Sequence, residues 1–118
     1  MDSKSLILAK EFLNKKVKIK IDRQLGSKHP KWGFEYLINY GYVEGAIAPD
    51  GEELDAYLLK VDKPIEEFEG EVVAIVHRTD NDDDKLVVVP IGETITDEEI
   101  ESATEFQEKF FKHKIVRE

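Results

Sequence analysis

Between residues 17 and 89, apolar residues recur in short runs that suit strands, cut off by turns and charges before a long helix could form. Val17, Ile19 and Ile21 alternate with Lys18 and Lys20, the pattern of a half-buried strand whose other face carries cations. Residues 22–31, with Gly26, Pro30 and several charges, read as a connection, and Trp32 to Val43 offers aromatic residues suited to one or two strands. Pro49, Asp50 and Gly51 predict a turn, Leu54 to Val61 a strand that Pro64 interrupts, and Gly70 a second turn. Glu71 to His77 and Leu86 to Val89 are rich in Val and Ile and suit an antiparallel hairpin closed by a loop of about six residues.

Helical spacing is confined to the two ends. Asp2 or Ser3 can cap a short helix running through Leu13, with Leu6, Ala9, Lys10 and Leu13 on one side. Thr96 and Glu99 have the spacing of a capping box, and Ile100, Ala103, Phe106 and Phe110 follow along one helical face. Five or six short strands with a packing helix predict a mainly β fold: an OB-like small antiparallel β-barrel with a C-terminal α-helix and a short N-terminal helix. At 118 residues with 41% hydrophobic content, the expectation is a single domain over 1–118 that buries its core without disulfides. Cysteine is absent, no window approaches the ~18 apolar residues of a membrane span, and the start of the chain lacks a signal-peptide pattern, so a cytoplasmic location and no membrane partner are expected.

The formal charge of −9 disfavours nucleic acid, whose binding draws on cations that release counterions. The charge is unevenly spread: residues 1–42 hold nine Lys/Arg against four Asp/Glu, residues 43–108 four against twenty-one, and residues 109–118 four against one. Such a chain can bring carboxylates for a hard cation and ammonium groups for a polyanion to one cleft, or present them as solvated faces that never meet.

Two acidic groupings stand out: Asp50, Glu52, Glu53 and Asp55 at one turn, and Asp80, Asp82, Asp83 and Asp84 in the hairpin loop. If they converge, their mutual repulsion calls for a cation; if they lie apart, each is a soluble loop. Oxygen donors without Cys, and with only His29, His77 and His113 widely separated, suit Mg²⁺ or Mn²⁺ better than a closed zinc site. An EF-hand fits poorly, because Lys85 stands where its loop needs Gly and a strand follows. The histidines read as surface or structural residues.

Tyr40-Gly41-Tyr42, then the segment Asp50 to Asp55, then an acidic loop ending in Lys85 ahead of Leu86 to Pro90, resembles the soluble, barrel-type (family I) inorganic pyrophosphatases. The similarity runs from about Val17 to Lys114, and Asp50, Glu52 and Asp55 match the family's acidic signature, with Glu52 in place of its middle aspartate. The resemblance implies Mg²⁺-dependent (or Mn²⁺-dependent) hydrolysis of pyrophosphate to two phosphates by a metal-activated water. Asp50, Asp55 and Asp83 would ligate activating metals, Asp80 an ion arriving with substrate, and Glu52 would be the general base. Lys18, Tyr36, Tyr40 and Lys85 match substrate-binding residues, and Lys114 does so across a one-residue deletion. The family's phosphate-binding arginine is missing, Lys28 occupying the nearest position; Lys20 stands where an acid is usual, and a C-terminal tyrosine has no counterpart. The altered cradle leaves two alternatives: hydrolysis of another phosphoanhydride or phosphoester on the same scaffold, or a non-catalytic metal- or phosphate-binding module. The resemblance also points to a homo-oligomer.

Overall fold

The computed structural model describes residues 4–47, 51–79 and 83–117. In chain order the elements are α1 (Lys4–Lys10), β1 (Lys16–Arg23), β2 (Asn39–Ile47), β3 (Glu53–Leu58), β4 (Glu67–Arg78), β5 (Asp84–Val89), α2 (Asp97–Glu108) and β6 (His113–Val116). The strands lie in the order β1-β2-β3-β5-β4-β6, and β1 also pairs with β4, closing five strands into a barrel with β6 added outside β4. The OB-like barrel with a helix near each end is therefore present, with one refinement. Its pairings are antiparallel except β3 with β5, which run parallel because β4 crosses between them in sequence. Among the described residues no helix is long and apolar enough to cross a membrane.

Strand parity divides the apolar residues into two cores. Ile19, Val43, Leu54, Ala56, Leu58, Leu86 and Val88 pack together with Leu6 and Ala9 of α1, whereas Tyr57, Leu59, Val87 and Val89 pack with Ile95 and Ile100 of α2. The unbroken run Leu86 to Val89 thus serves both faces of one strand. On β4 the parity changes hands at an irregularity between Val72 and Ala74, so that Val72 and Ile75 join the first core while Ala74 and Val76 join the second.

Two expectations need correction, and one element is additional. Gly70 does not open a turn but sits buried within β4, where a Cβ would lie 2.6 Å from the Val89 carbonyl oxygen and 2.7 Å from Val88 Cγ1. Residues 32–38 form no strand; they belong to an irregular arm folded back on residues 26–29, where Gly26 N–H donates to the Tyr36 carbonyl and His29 N–H to that of Phe34, each at 2.8 Å. β6 follows α2 without having been anticipated. The capping box is as expected, Thr96 accepting from Glu99 N–H while Glu99 accepts from Thr96 N–H. The caps Asp2 and Ser3 and most of the turn at 49–51 lie outside the described residues.

Candidate active site

On the outer side of the barrel, where α2 packs, three strands bring charged residues into register. Asp55 of β3 lies between Tyr42 of β2 and Lys85 of β5. Lys85 is almost wholly buried, and its Nζ donates to Asp55 Oδ2 at 2.6 Å and to Asp83 Oδ1 at 2.9 Å. The two acidic segments therefore do converge, with an ammonium group between them. Gly41 allows β2 to approach β1 here, since a Cβ at that position would overlap the Lys20 carbonyl oxygen at 1.8 Å.

Two adjoining cavities open on this face. One, of about 340 Å³, is lined by Asp22, Tyr42, Glu52, Glu53, Asp55 and Asp83. The other, of about 280 Å³, has Arg23, Arg78 and Lys85 among its walls together with Tyr36 and Tyr40, and Asp22 stands at the boundary of both. One cavity can hold a cation and its neighbour can receive an anion.

Arg78 is fixed from three sides. Its Nε and Nη2 donate to Glu108 Oε1 and Oε2 at 3.0 and 2.8 Å, its Nη1 donates to Asp83 Oδ2 at 2.9 Å, and its guanidinium lies 3.7 Å from the Phe111 ring centroid. Burial works against its charge, but the Glu108 carboxylate overcomes this and raises the guanidinium's pKa. Tyr40 is pushed well above the usual phenol range, by desolvation first and by Asp55 second, so its hydroxyl keeps its proton and acts as a donor. Tyr36 is raised by desolvation, with Arg23 opposing the shift. Desolvation also raises the Asp22 carboxyl, Arg23 opposing the rise and Asp55 adding to it.

Of the residues singled out from the sequence, Glu52, Asp55, Asp83, Tyr36, Tyr40 and Lys85 line these two cavities, while Asp50 and Asp80 lie outside the described residues. Lys18, Lys28 and Lys114 are exposed and line neither cavity. Lys18 is on the same face of β1 as Asp22 but four residues away, roughly 13 Å along the strand, and pairs with Glu67 at 3.5 Å. Lys28 pairs with Glu35 in the arm through backbone only, as an isolated antiparallel bridge, and Lys114 of β6 stands opposite His77 of β4. Lys20, found where an acid was expected, pairs across the barrel seam with Glu67 at 3.0 Å.

Sequence reasoning missed Asp22, Arg23 and Arg78. Asp22 shares strand parity with Lys18 and Lys20, which was a usable signal. Arg23 and Arg78 bring guanidinium groups to the anion cavity although the family's arginine position holds Lys28, but they come from strand ends that read as ordinary charged boundaries.

A family model described as inorganic pyrophosphatase matches residues 9–116, nearly the whole chain. The chain belongs to the family I inorganic pyrophosphatases. Solved members of similar shape include the inorganic pyrophosphatase of Helicobacter pylori, at a TM-score of 0.68 and 16% identity over 87% of this chain and 85% of that one. The inorganic pyrophosphatase of Ehrlichia chaffeensis gives 0.67 and 16% over 86% and 85%, and that of Neisseria gonorrhoeae 0.58 and 21% over 81% and 72%. At these identities the structures establish the shared fold. No curated protein sequence matches the chain.

The donor set around the acidic cavity suits the family's divalent ion. Its acids, Asp22, Glu52, Glu53, Asp55 and Asp83, offer only oxygen, the donor that Mg²⁺ prefers. Among the described residues no three such groups form a ready-made cage, and Lys85 supplies the positive charge between Asp55 and Asp83.

Proposed function

We propose that this chain is a Mg²⁺-dependent inorganic pyrophosphatase that hydrolyses pyrophosphate to two phosphates. The observation that carries this reading is the meeting of Asp55 and Asp83, distant in sequence, across the Lys85 ammonium beside a cavity walled by Arg23 and Arg78. Asp55 and Asp83 are the described residues proposed to hold the ion, with Asp50 and Asp80 added on the family pattern. A bound divalent ion acidifies water and offsets charge on the phosphoanhydride.

The chain's own groups do the rest. Glu52, on the acidic cavity, takes the proton of the attacking water. Arg23, Arg78 and Lys85 receive the anionic oxygens; Arg23 presents a planar fork, which a single lysine at position 28 would not, while Arg78, whose fork edge is taken by Glu108, adds a fixed positive charge. Tyr40 and Tyr36, both protonated, donate from the side of the anion cavity. Glu108 and Phe111 hold Arg78 in orientation, so the guanidinium need not be ordered when substrate arrives.

Phosphate release from pyrophosphate, measured with and without Mg²⁺ in the wild type and in Asp55→Asn, tests the reading. Turnover that needs Mg²⁺ and is lost in Asp55→Asn supports it. A folded wild type that leaves pyrophosphate intact at saturating Mg²⁺ removes it.

A further inference from the structure

The anion cavity does not end at the arginines. Trp32 and Phe111 line both it and a neighbouring groove of about 490 Å³, whose other walls are Phe34 and Phe110. Trp32 is 58% exposed and Phe110 59%, and the half-buried Phe34 ring lies between them, its centroid 6.4 and 6.2 Å from theirs. On a small, highly charged protein, contiguous open rings of this kind mark a binding surface.

The rings are also held in place. His29 stacks on Trp32 at 4.8 Å with 10° between planes, and its Nδ1 accepts the backbone N–H groups of Lys31 and Trp32, each at 3.1 Å. The tip of the arm is thereby locked, and a ligand ring meets a platform that is already ordered. Arg78 joins the two compartments, since the guanidinium that faces the anion cavity lies on Phe111, a wall of the groove. Pyrophosphate has no apolar part and would leave the groove unused. Charge in one compartment and stacking surface in the next complement a ligand with phosphates at one end and a flat ring at the other.

We infer that the site accepts, beyond pyrophosphate, nucleoside di- and triphosphates whose base seats between Trp32 and Phe110 while their phosphates meet Arg23, Arg78 and Lys85. This rests on the reading of the site as a phosphoanhydride hydrolase and names its substrate class. In the step, the oxygen of water forms a bond to the terminal phosphorus and the bridging P–O bond breaks, its electron pair leaving with the shortened nucleotide. The water proton passes to Glu52 and then to solvent. A nucleoside diphosphate and water thus give a nucleoside monophosphate, orthophosphate and a proton.

The 118-residue chain with Mg²⁺ is given ATP and, separately, tripolyphosphate, which has the phosphates without the base. The expected kcat/KM for ATP is higher by about tenfold or more, the worth of one stacked base, and Phe110→Ala brings the ratio back toward one. Equal values in the wild type, or a Phe110→Ala loss shared equally by both substrates, overturns the inference. Trp32 is the chain's single tryptophan, so its fluorescence reports on the groove independently of turnover. Quenching that saturates with ADP but not with pyrophosphate supports a base in the groove. Absence of quenching, or quenching that follows protein concentration and not ADP, puts nothing or a second copy there and overturns it. If no phosphoanhydride is turned over, the hydrolase reading fails by itself, and the ADP titration still decides what the groove binds.

Discussion

Glu52 and Asp55 border the same cavity but belong to different physical situations. Asp55 is tied to Lys85 at 2.6 Å and lies next to the Tyr40 hydroxyl, so its carboxylate is held in one orientation. Glu52 is exposed at the start of the turn into β3, one methylene longer than the aspartate usual in the family. An exposed, longer acid costs little to replace in stability but matters if it moves a proton. Glu52→Gln is therefore expected to lower kcat by about 10²-fold or more, the usual contribution of a positioned base, with KM and the melting temperature nearly unchanged. Glu52→Asp should retain most of the turnover. Steady-state phosphate release and a thermal melt of each variant check this, and an active Glu52→Gln would transfer the role to another acid such as Asp22.

At the scale of elements, α2 is joined to the barrel by a buried polar network as well as by its apolar face. Glu108 accepts from Arg78 through both oxygens and from the Tyr57 hydroxyl at 2.6 Å, and Gln107 donates to that hydroxyl at 2.7 Å. Glu108→Ala removes two of the three carboxylate bonds of a buried guanidinium and the acceptor of a buried phenol, leaving Arg78 only Asp83 and Tyr57 only Gln107, so a loss of about 3–5 kcal/mol in urea unfolding is expected. α2 is also linked forward to β6. Burial alone would lower the pKa of His113, but its hydrogen bonds to the Phe111 carbonyl and the Glu101 carboxylate prevail and raise it. A raised histidine pKa favours the folded state below the unfolded value near 6.5, and that contribution fades as pH climbs through the folded value. The melting deficit of His113→Asn should accordingly be larger at pH 6 than at pH 9; the reverse order would mean that the neutral ring is the one the fold prefers. Elements whose signal is local were legible in the sequence: the alternation of β1, the capping box of α2, the hairpin of β4 and β5. The register of acids at Asp55 and Asp83 was legible only through the family's pattern. Arg78 and Glu108 were not, because thirty residues separate them and neither looks unusual until α2 docks. Gly70 misled because a glycine needed for close packing and one needed for a turn look alike in a sequence.

Over the whole molecule, the excess of acids lies in residues 43–108, which hold twenty-one Asp/Glu against four Lys/Arg and supply four of the five acids that line the acidic cavity. Lys85, Arg78 and Arg23 offset part of that repulsion, while Asp22, Glu52 and Glu53 add to it around one cavity of about 340 Å³. On the proposed reading, a divalent ion at this cavity favours the folded state in a way that the unfolded chain, with its acids far apart, does not match. Linkage then requires that the ion raise stability, by about 2.7 kcal/mol at a free concentration one hundred times its Kd. A titration with MgCl₂ should raise the melting temperature well beyond a NaCl titration matched in ionic strength, because diffuse screening relieves surface repulsion but does not bridge carboxylates. Asp55→Asn should lose most of the specific part while keeping the screening part. Identical curves for the two salts would show that the convergent acids are balanced by the chain's own cations alone, and would remove the physical basis for a metal-assisted reaction at this face.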